Sequence, residues 1–309
     1  MFIFSGTANP KLTDEVGKIL KHPIAESEVV RFGNSEVRVR ISNSIRNQIG
    51  VIIQSTSNPT DTNLMELFFF CDALRRCEAK KVVGIIPYFG YARQNIQHRP
   101  GECVSANVII RFLESIGFYK IYTIDLHDQA TEGVFSIPFK HLTAVPLLAQ
   151  AIKKYLNSKV EPENVAIISP DQGGIERSRR FAEAFFGKPI DIGVIEKKRN
   201  LDKIHESGDL GLFGDVKNKT VILVDDIITS GGTLINAAEL CLKKGAKNVI
   251  AAITHHDFSE KAPKKIQDSV IEKLFTTNTI VLKDDQKIPK LVEISIAPLI
   301  AQELDSLIR

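Results

Sequence analysis

Short apolar runs rich in Val and Ile alternate along this chain with longer amphipathic stretches. The short runs are Val51–Ile53, Val82–Ile86, Ile121–Ile124, Val165–Ile168, Val221–Val224 and Val249–Ile253. They are too short for helices, and their β-branched residues are typical of buried parallel strands. The longer stretches are Asp14–Leu20, Leu64–Cys77, Ser105–Ile116, Ala144–Leu156, Glu176–Phe186 and Thr233–Lys244. This alternation predicts an α/β fold with mostly parallel sheets flanked by helices, in which ligands bind beyond the carboxyl ends of the strands.

Two pairs of strand endings are similar between the two halves of the chain. Ile85–Gly90 and Ile168–Gly173 both read as strand residues, a proline, two further residues and a glycine. Ile121–Asp125 and Val221–Asp225 are both apolar runs that end in Asp. A fold that is built twice explains these matches, and chance similarity of strand endings is the alternative.

The chain length of 309 residues also fits two domains. We expect the boundary just before the helix that starts near Val145, which gives domains 1–143 and 144–309. The second half has more residues between its two landmarks than the first. Glu196–Gly214, a charged stretch with three glycines, is the expected place for this additional loop.

The composition excludes several classes of protein. The chain has 40 Lys and Arg against 37 Asp and Glu, and this formal net charge of +3 argues against a nucleic-acid-coating protein or an acidic scaffold. No apolar run is long enough to cross a bilayer, and Met1–Pro10 lacks the pattern of a signal peptide. The four cysteines show no Cys-x-x-Cys spacing, so we expect reduced thiols in a cytoplasmic protein.

The clearest chemical signal lies in Val221–Thr233. A buried strand ends in two adjacent carboxylates, Asp225 and Asp226, and a turn of Thr, Ser and Gly leads into a helix. The N–H groups and hydroxyls of such a turn suit a phosphate, whereas the carboxylates suit sugar hydroxyls or a magnesium ion. The segment therefore predicts a site for a phosphorylated polyol. The alternative is a helix cap with two solvated aspartates, which does not explain a carboxylate pair at a strand end.

This segment resembles the ribose-phosphate binding motif of the phosphoribosyltransferases. Further segments, in the same order over nearly the whole chain, resemble the ribose-phosphate pyrophosphokinases, which make phosphoribosyl pyrophosphate (PRPP). They are Arg31–Val37, Tyr88–Gln94, Ile124–His127, Ser169–Gly174, Thr276–Thr279 and Ala297–Ala301. The resemblance implies two similar phosphoribosyltransferase-type domains. The first would carry ATP-site elements, and the second would carry the ribose 5-phosphate site and a mobile catalytic loop.

The resemblance also implies a reaction: the Mg²⁺-dependent transfer of pyrophosphate from ATP to the 1-hydroxyl of ribose 5-phosphate, which gives PRPP and AMP. Phe32 would stack on adenine and Asn34 and Glu36 would read its edge, in the active site of a neighbouring subunit. Arg93 and Gln94 would face ATP from the other side. The ribose 5-phosphate site would comprise Asp225, Asp226, Thr229, Ser230, Gly231, Gly232 and Thr233.

The resemblance makes His127 and Asp171 magnesium ligands, and each follows a predicted strand. Asp is a common ligand of hard cations, whereas His127 by itself would be read as a structural histidine. Lys197 and Arg199 would be catalytic residues on the mobile loop, where cations hold the charge of the triphosphate and exclude water. Arg177 is a further candidate for contact with the pyrophosphate.

The shared adenine site implies a homo-oligomer, at least a dimer and, as in many family members, a hexamer built from dimers. ATP and ribose 5-phosphate would be its small-molecule partners, with no nucleic acid and no membrane.

Four features depart from the family pattern. Thr229 stands where many members have a third Asp, and Asn95 stands where Asp is usual. The stretch Ile96–Cys103 lacks the usual basic run, and Asp128–Gly133 replaces a Gln-Ile-Gln-Gly type segment. They keep open a non-catalytic regulatory paralogue as an alternative to the enzyme. A PRPP-consuming phosphoribosyltransferase is the other alternative, but it does not explain Phe32–Glu36.

Overall fold

A computed structural model of the protein describes residues 1–157, 160–197 and 210–308. The chain divides into two compact units. The first contains Met1–Thr143, Thr279–Val281 and the segment that begins at Ser295, and the second contains Ala144–Asn278 and Leu282–Ile294. Among the described helices, none is both long and apolar enough to span a membrane.

Strands and helices alternate along the described chain, and each predicted run overlaps one of them. The strands are β1 (Phe2–Ser5), β2 (Ser27–Arg31), β3 (Val37–Ile41), β4 (Ile49–Ile53), β5 (Lys81–Ile86), β6 (Lys120–Ile124), β7 (Phe139–Leu142), β8 (Val165–Ser169), β9 (Gly193–Lys197), β10 (Leu210–Phe213), β11 (Thr220–Ile228), β12 (Asn248–His256), β13 (Lys273–Thr277) and β14 (Leu291–Ile294). The α-helices are α1 (Pro10–Leu20), α2 (Thr60–Arg76), α3 (Ser105–Ile116), α4 (Val145–Leu156), α5 (Ile175–Phe186), α6 (Gly232–Lys243), α7 (Ala262–Asp268) and α8 (Ala297–Ile308).

Each unit contains one large, mainly parallel sheet, which confirms the predicted α/β fold. The first sheet has the order β1-β4-β5-β6-β7, with parallel neighbours throughout. The second has the order β10-β9-β8-β11-β12-β13-β14, and of its described pairs β9–β10 is antiparallel. Because successive residues of a strand point to opposite faces, burial of consecutive residues shows that both faces are covered.

Strand β11 shows this arrangement directly. Val221 and Leu223 pack in one apolar cluster with helix α6, whereas Ile222 and Val224 pack in a second cluster with helices α4 and α5. All four side chains are at most 2 % exposed. The continuous apolar run therefore reflects a strand that is sandwiched between two layers of helices.

The two sheets can be aligned strand by strand, and the alignment differs from the one suggested by the sequence. Strands β4, β5, β6 and β7 follow one another across the first sheet as β8, β11, β12 and β13 do across the second. A further parallel strand, β1 or β9, lies beside the first member of each set. The match of Ile85–Gly90 to Ile168–Gly173 would pair β5 with β8, one strand away from this order. The two sheets thus share a strand order, as expected for a repeat. In this alignment, however, the similar strand endings belong to strands that are not equivalent.

Two antiparallel hairpins were absent from the sequence prediction. β2 and β3 form a separate two-stranded sheet, in which Arg31 pairs with Val37. β9 pairs with β10, so that Lys197 is opposite Leu210, within the stretch where an additional loop was expected. Their strands are four or five residues long, and β3 is the one that alternates regularly between apolar and polar residues, so the signal is weaker than that of a continuous apolar run.

The domain prediction assigned residues 144–309 to the second domain, but the C-terminal helix belongs to the first unit. Helix α8 packs against helix α1, and Ile300 and Leu304 on it are fully buried. Lys140 Nζ also lies 2.8 Å from the Glu303 carboxylate. The apolar face of this helix is buried within the first unit, and that burial stabilises the helix there although the chain has already passed through the second unit. A single boundary in the sequence therefore does not separate the two units.

Candidate active site

The carboxylate pair lies near the end of a central strand of the second unit. Strand β11 continues through Asp225 and Asp226 to Ile228, and Ile228 pairs with His256 of β12. Asp226 is only 3 % exposed. The sequence predicted a strand that ends in the pair; in the structure, the pairing of β11 with β12 continues for two more residues, so that both carboxylates lie within the ladder near the carboxyl edge of the sheet.

The predicted phosphate turn follows at once. Thr229 and Ser230 connect β11 to Gly231, which has φ = 78° and precedes the first residue of helix α6. Glycine adopts this left-handed conformation without the penalty that a Cβ brings. No side chain caps the helix. The first N–H groups of a helix lack partners within it, so this turn presents donors suited to an anionic oxygen.

Arg177, in the first turn of helix α5, contacts both carboxylates. Its Nη1 lies 2.7 Å from Asp225 Oδ1 and 3.1 Å from Asp226 Oδ1. The pKa of Asp225 is nevertheless raised well above its ordinary value, first because burial desolvates the carboxylate and next because Asp226 is close; Arg177 acts in the opposite direction. The resemblance made Arg177 a candidate for contact with the pyrophosphate, and in the structure its guanidinium holds the acidic pair.

Asp171 lies in the turn between strand β8 and helix α5. Its Oδ1 accepts a hydrogen bond from the Gly174 N–H at 3.0 Å, and its backbone carbonyl accepts one from Ser169 Oγ at 2.6 Å. Because β8 is the parallel neighbour of β11, Asp171 belongs to the same sheet edge as Asp225. These two hydrogen bonds within the turn fix the orientation of the Asp171 carboxylate, although the residue is exposed.

The two predicted catalytic residues lie at the edge of the described chain. Lys197 is the last residue of strand β9, which is the parallel neighbour of β8. Arg199 lies outside the described residues.

In the first unit, the three predicted adenine-contacting residues share the tip of the β2–β3 hairpin. The Phe32 N–H donates to the Glu36 carbonyl at 2.8 Å, and the Glu36 N–H donates to Asn34 Oδ1 at 3.2 Å. The Phe32 ring is 44 % exposed, with the Arg38 guanidinium 5.8 Å from its centroid. An exposed aromatic ring on a hydrogen-bonded hairpin is available for stacking on a planar partner.

Arg93 and Gln94 lie in the segment between strand β5 and helix α3, and both are exposed. The Gln94 N–H donates to the Tyr91 carbonyl at 2.9 Å, and the Gln94 carbonyl accepts from the Ala106 N–H at 3.1 Å. Tyr91 OH donates to Asp61 at the start of helix α2. These bonds attach the segment to two helices while leaving the Arg93 side chain at the surface.

His127 follows strand β6 and is exposed. Asp125, which precedes it by two residues, has φ = 35°, a conformation that costs energy for a residue other than glycine. The Leu126 N–H donates to Nε2 of His141 on strand β7 at 2.9 Å, which helps to maintain this conformation. Strain held by surrounding contacts is frequent at functional sites.

The structure thus brings the predicted residues into separate groups. Asp171, Asp225, Asp226 and the phosphate turn share one sheet edge of the second unit, whereas the ATP-site residues and His127 belong to the first. Among the described residues, no group of three or more His, Cys, Asp and Glu could hold a metal ion. Single carboxylates such as those of Asp171, Asp225 and Asp226 are nevertheless ligands of the kind that suits Mg²⁺, which commonly binds one or two carboxylates together with substrate phosphates.

The chain matches two family models. Residues 1–117 match the N-terminal domain of ribose phosphate pyrophosphokinase, and residues 139–286 match the phosphoribosyl transferase domain. A solved phosphoribosylpyrophosphate synthetase from Mycobacterium smegmatis is 33 % identical, with a TM-score of 0.91 over 99 % of this chain and 98 % of that one.

Curated relatives agree over nearly the full length. The ribose-phosphate pyrophosphokinase of Campylobacter jejuni is 40 % identical over 97 % of this chain and 93 % of its own. That of Bacillus subtilis is 37 % identical over 98 % of this chain and 92 % of its own. The sheets, the acidic strand end and the phosphate turn define a protein with phosphoribosyltransferase-type domains. Within that class, the chain belongs to the ribose-phosphate pyrophosphokinase family of diphosphate-transferring enzymes.

Proposed function

We propose that this protein transfers pyrophosphate from ATP to the 1-hydroxyl of ribose 5-phosphate, in a Mg²⁺-dependent reaction that yields PRPP and AMP for nucleotide synthesis in the cytoplasm. The observation that carries the proposal is the carboxylate pair beside an uncapped helix turn, with one arginine nitrogen within 3.1 Å of both carboxylates. Sugar hydroxyls donate to carboxylates and a terminal phosphate accepts from backbone N–H groups. The site therefore matches both ends of a pentose phosphate.

Ribose 5-phosphate binds with its hydroxyls on Asp225 and Asp226 and its phosphate on the turn from Thr229 to Thr233. The 1-hydroxyl then attacks the β-phosphorus of ATP in line, and AMP leaves. Lys197 and Arg199 hold the charge of the transferring group and exclude water. Because the work consists of positioning and of stabilising charge, no covalent enzyme intermediate is needed.

The first unit binds the nucleotide. Phe32 stacks on adenine, with Asn34 and Glu36 at its polar edge, and Arg93 and Gln94 face the phosphates. Arginine suits this contact because its planar guanidinium donates to two oxygens at once. His127 and Asp171 would be the ligands of Mg²⁺, and the ion would supply positive charge to the triphosphate oxygens.

The protein acts as a homo-oligomer in which the Phe32 hairpin serves the active site of a neighbouring subunit. An exposed apolar face supports association: Met65 and Phe69 on helix α2 and Val108 and Phe112 on helix α3 are 36–53 % exposed. The Phe112 ring packs edge-on against Phe68, with centroids 6.2 Å apart. Exposed aromatic and aliphatic side chains on adjacent helices are typical of protein–protein contacts.

The deciding experiment measures AMP release from ATP with Mg²⁺, with and without ribose 5-phosphate, and again with added inorganic phosphate. We expect AMP only with the sugar phosphate, in amounts that match PRPP. Chelation of Mg²⁺ with EDTA should abolish it. A chain that releases no AMP under either condition is not this enzyme, and the non-catalytic paralogue would then stand. PRPP consumption with a nucleobase would favour the phosphoribosyltransferase.

Alanine substitution of Lys197 and Arg199 separates catalysis from assembly. A catalyst loses most turnover but keeps its oligomeric state by size-exclusion chromatography. Turnover that is unchanged in both variants would contradict the role of the two cations.

A further inference from the structure

Two residues that depart from the family pattern are hydrogen-bonded to each other in the first unit. Asn95 Nδ2 donates to Asp128 Oδ2 at 2.6 Å, and both side chains are partly buried. The second oxygen of the carboxylate, Oδ1, accepts the Ala130 N–H at 2.9 Å and caps the short helix Gln129–Val134. Both oxygens of Asp128 are therefore engaged, one within its own segment and one across to Asn95.

This bond connects two loops that the proposed function assigns to the same nucleotide. Asn95 directly follows Arg93 and Gln94 in the segment after strand β5, and Asp128 directly follows His127 after the neighbouring strand β6. The parallel strands fix where the two loops begin, but not how far apart their tips lie. A charge-assisted hydrogen bond between the tips supplies that restraint.

The two departures also fit each other chemically. A carboxylate at position 95 would be within hydrogen-bond distance of the Asp128 carboxylate, and like charges in a partly buried site repel each other. The amide of Asn95 removes this repulsion and supplies the N–H that the Asp128 oxygen accepts. A hydrogen bond between positions 95 and 128 therefore requires that at least one of the two side chains is an amide.

We propose that the Asn95–Asp128 pair is a positioning contact that sets the spacing between Arg93–Gln94 and His127, and thereby the affinity for ATP. The proposal rests on the proposed function, which assigns ATP to Arg93 and Gln94 and the metal to His127. The role that we assign to each member is to position its neighbour in the chain, Gln94 or His127, through the bond between Asn95 and Asp128.

The test compares the wild type with N95D, D128N and the double variant N95D/D128N. In D128N the remaining oxygen still caps the Ala130 N–H, and the new amide faces Asn95, which can turn its own oxygen toward it. In the double variant the amide donor and the carboxylate acceptor exchange places. Q97E is the matched control, because Gln97 is exposed two residues away and the change adds the same charge without facing Asp128.

We expect N95D to raise KM for ATP about tenfold or more, which corresponds to about 1.4 kcal/mol. KM for ribose 5-phosphate should stay within about twofold, and D128N, Q97E and the double variant should lie near the wild type in KM for ATP. A merely structural role would move both KM values and the melting temperature together. Equal KM for ATP in N95D and the wild type, or a double variant as impaired as N95D, would overturn the proposal.

ATP binding is measured in parallel by calorimetry with Mg²⁺ on the same proteins. A wild type that binds ATP but makes no PRPP contradicts the proposed function alone, and the comparison of ATP affinities still tests the pair. Equal ATP affinity in N95D and wild type contradicts the pair, whatever the turnover.

Discussion

At the scale of single residues, Arg177 is the side chain that joins the two carboxylates of the proposed sugar site. Two adjacent carboxylates at a buried strand end repel each other, and one arginine nitrogen within 3.1 Å of both offsets that repulsion. Burial is the first cause that raises the pKa of Asp225 and repulsion from Asp226 the second, whereas Arg177 acts in the opposite direction. Arg177 thus holds both carboxylates in place, where they can accept hydrogen bonds from the hydroxyls of a sugar.

Replacement of Arg177 by Ala should therefore raise KM for ribose 5-phosphate about tenfold or more, because a hydrogen bond to a charged group contributes roughly 1.5–3 kcal/mol. Steady-state kinetics with ATP saturating measures it. R177K is the matched control, because a single ammonium can lie between the carboxylates as the single Nη1 does. It should recover part of the affinity. If R177A binds the sugar phosphate as the wild type does, the carboxylates do not need this arginine.

His256 is a buried histidine on strand β12 whose effect is on stability. It is 1 % exposed, its Nδ1 lies 3.2 Å from Thr276 Oγ1, and burial lowers its pKa to about 4, with His255 as a second cause. Below pH 6.5 the unfolded chain binds a proton that the folded chain does not accept until pH 4. Stability from the neutral ring is thus complete above pH 6.5 and is lost as the pH falls towards 4.

We expect thermal unfolding to be less acid-sensitive in H256Q than in the wild type. The difference between pH 6.5 and pH 4 should correspond to about 3 kcal/mol at most, from a shift of roughly 2.5 pKa units. Melting temperature as a function of pH measures this. H98Q removes an exposed histidine and should leave the pH profile unchanged. Parallel profiles for H256Q and the wild type would show that this ring titrates normally.

At the scale of elements, the C-terminal helix α8 contributes to the core of the first unit although it lies at the end of the chain. Helix α8 follows every strand of the second unit, yet it packs on α1 and belongs to the first. Ser295 Oγ donates to Glu15 of helix α1, so a polar contact accompanies the apolar one. Truncation of this helix should therefore affect the first unit more than the second.

L304A tests this packing. Leu304 is 0 % exposed, and removal of such a side chain leaves a cavity, which costs about 2–5 kcal/mol. Urea denaturation should show that loss. Q302A, on the exposed side of the same helix, should change the free energy of unfolding by less than about 0.5 kcal/mol. The same unfolding midpoint in both variants would mean that the helix does not contribute to the core.

The β2–β3 hairpin is the second element whose function exceeds its size. In β3, Val37, Val39 and Ile41 are partly buried, whereas Arg38 and Arg40 are exposed. One face packs beside helix α2, and the tip projects Phe32 into solvent. The hairpin thus presents an exposed aromatic ring, which is consistent with the proposed stacking of Phe32 on adenine.

At the scale of the whole molecule, the proposed sharing of sites predicts complementation between subunits. F32A lacks the adenine contact that a subunit gives its neighbour, and K197A lacks the catalytic cation of its own site. Each variant alone should have little activity. After mixing with subunit exchange, about a quarter of wild-type activity should return, since half of random dimers are mixed and each restores one site of two.

PRPP formation in the mixture and in the separate variants measures this. F32A mixed with itself, or K197A mixed with itself, is the control for the exchange procedure. A mixture that shows only the average of the two variants, with exchange verified by labelled subunits, would place Phe32 in its own subunit's site.

Much of this protein was determined by its sequence alone. The Val- and Ile-rich runs became β4, β5, β6, β8, β11 and β12, because a strand buried on both faces needs a continuous apolar run and little else. The segment from Asp225 to Thr233 could be read as a site because strand end, turn and helix start are consecutive in the chain. The family itself followed from several short motifs in a fixed order.

Tertiary structure decided the contacts that join distant parts of the chain. Arg177 and Asp225 meet across 48 residues, and Asn95 and Asp128 across 33, only because neighbouring parallel strands bring their following loops together. Likewise, α8 joins the first unit because its apolar face is buried there. Local patterns specify which element forms, since periodicity is a property of consecutive residues. Which elements touch depends on the free energy of packing the whole chain, which no local pattern contains.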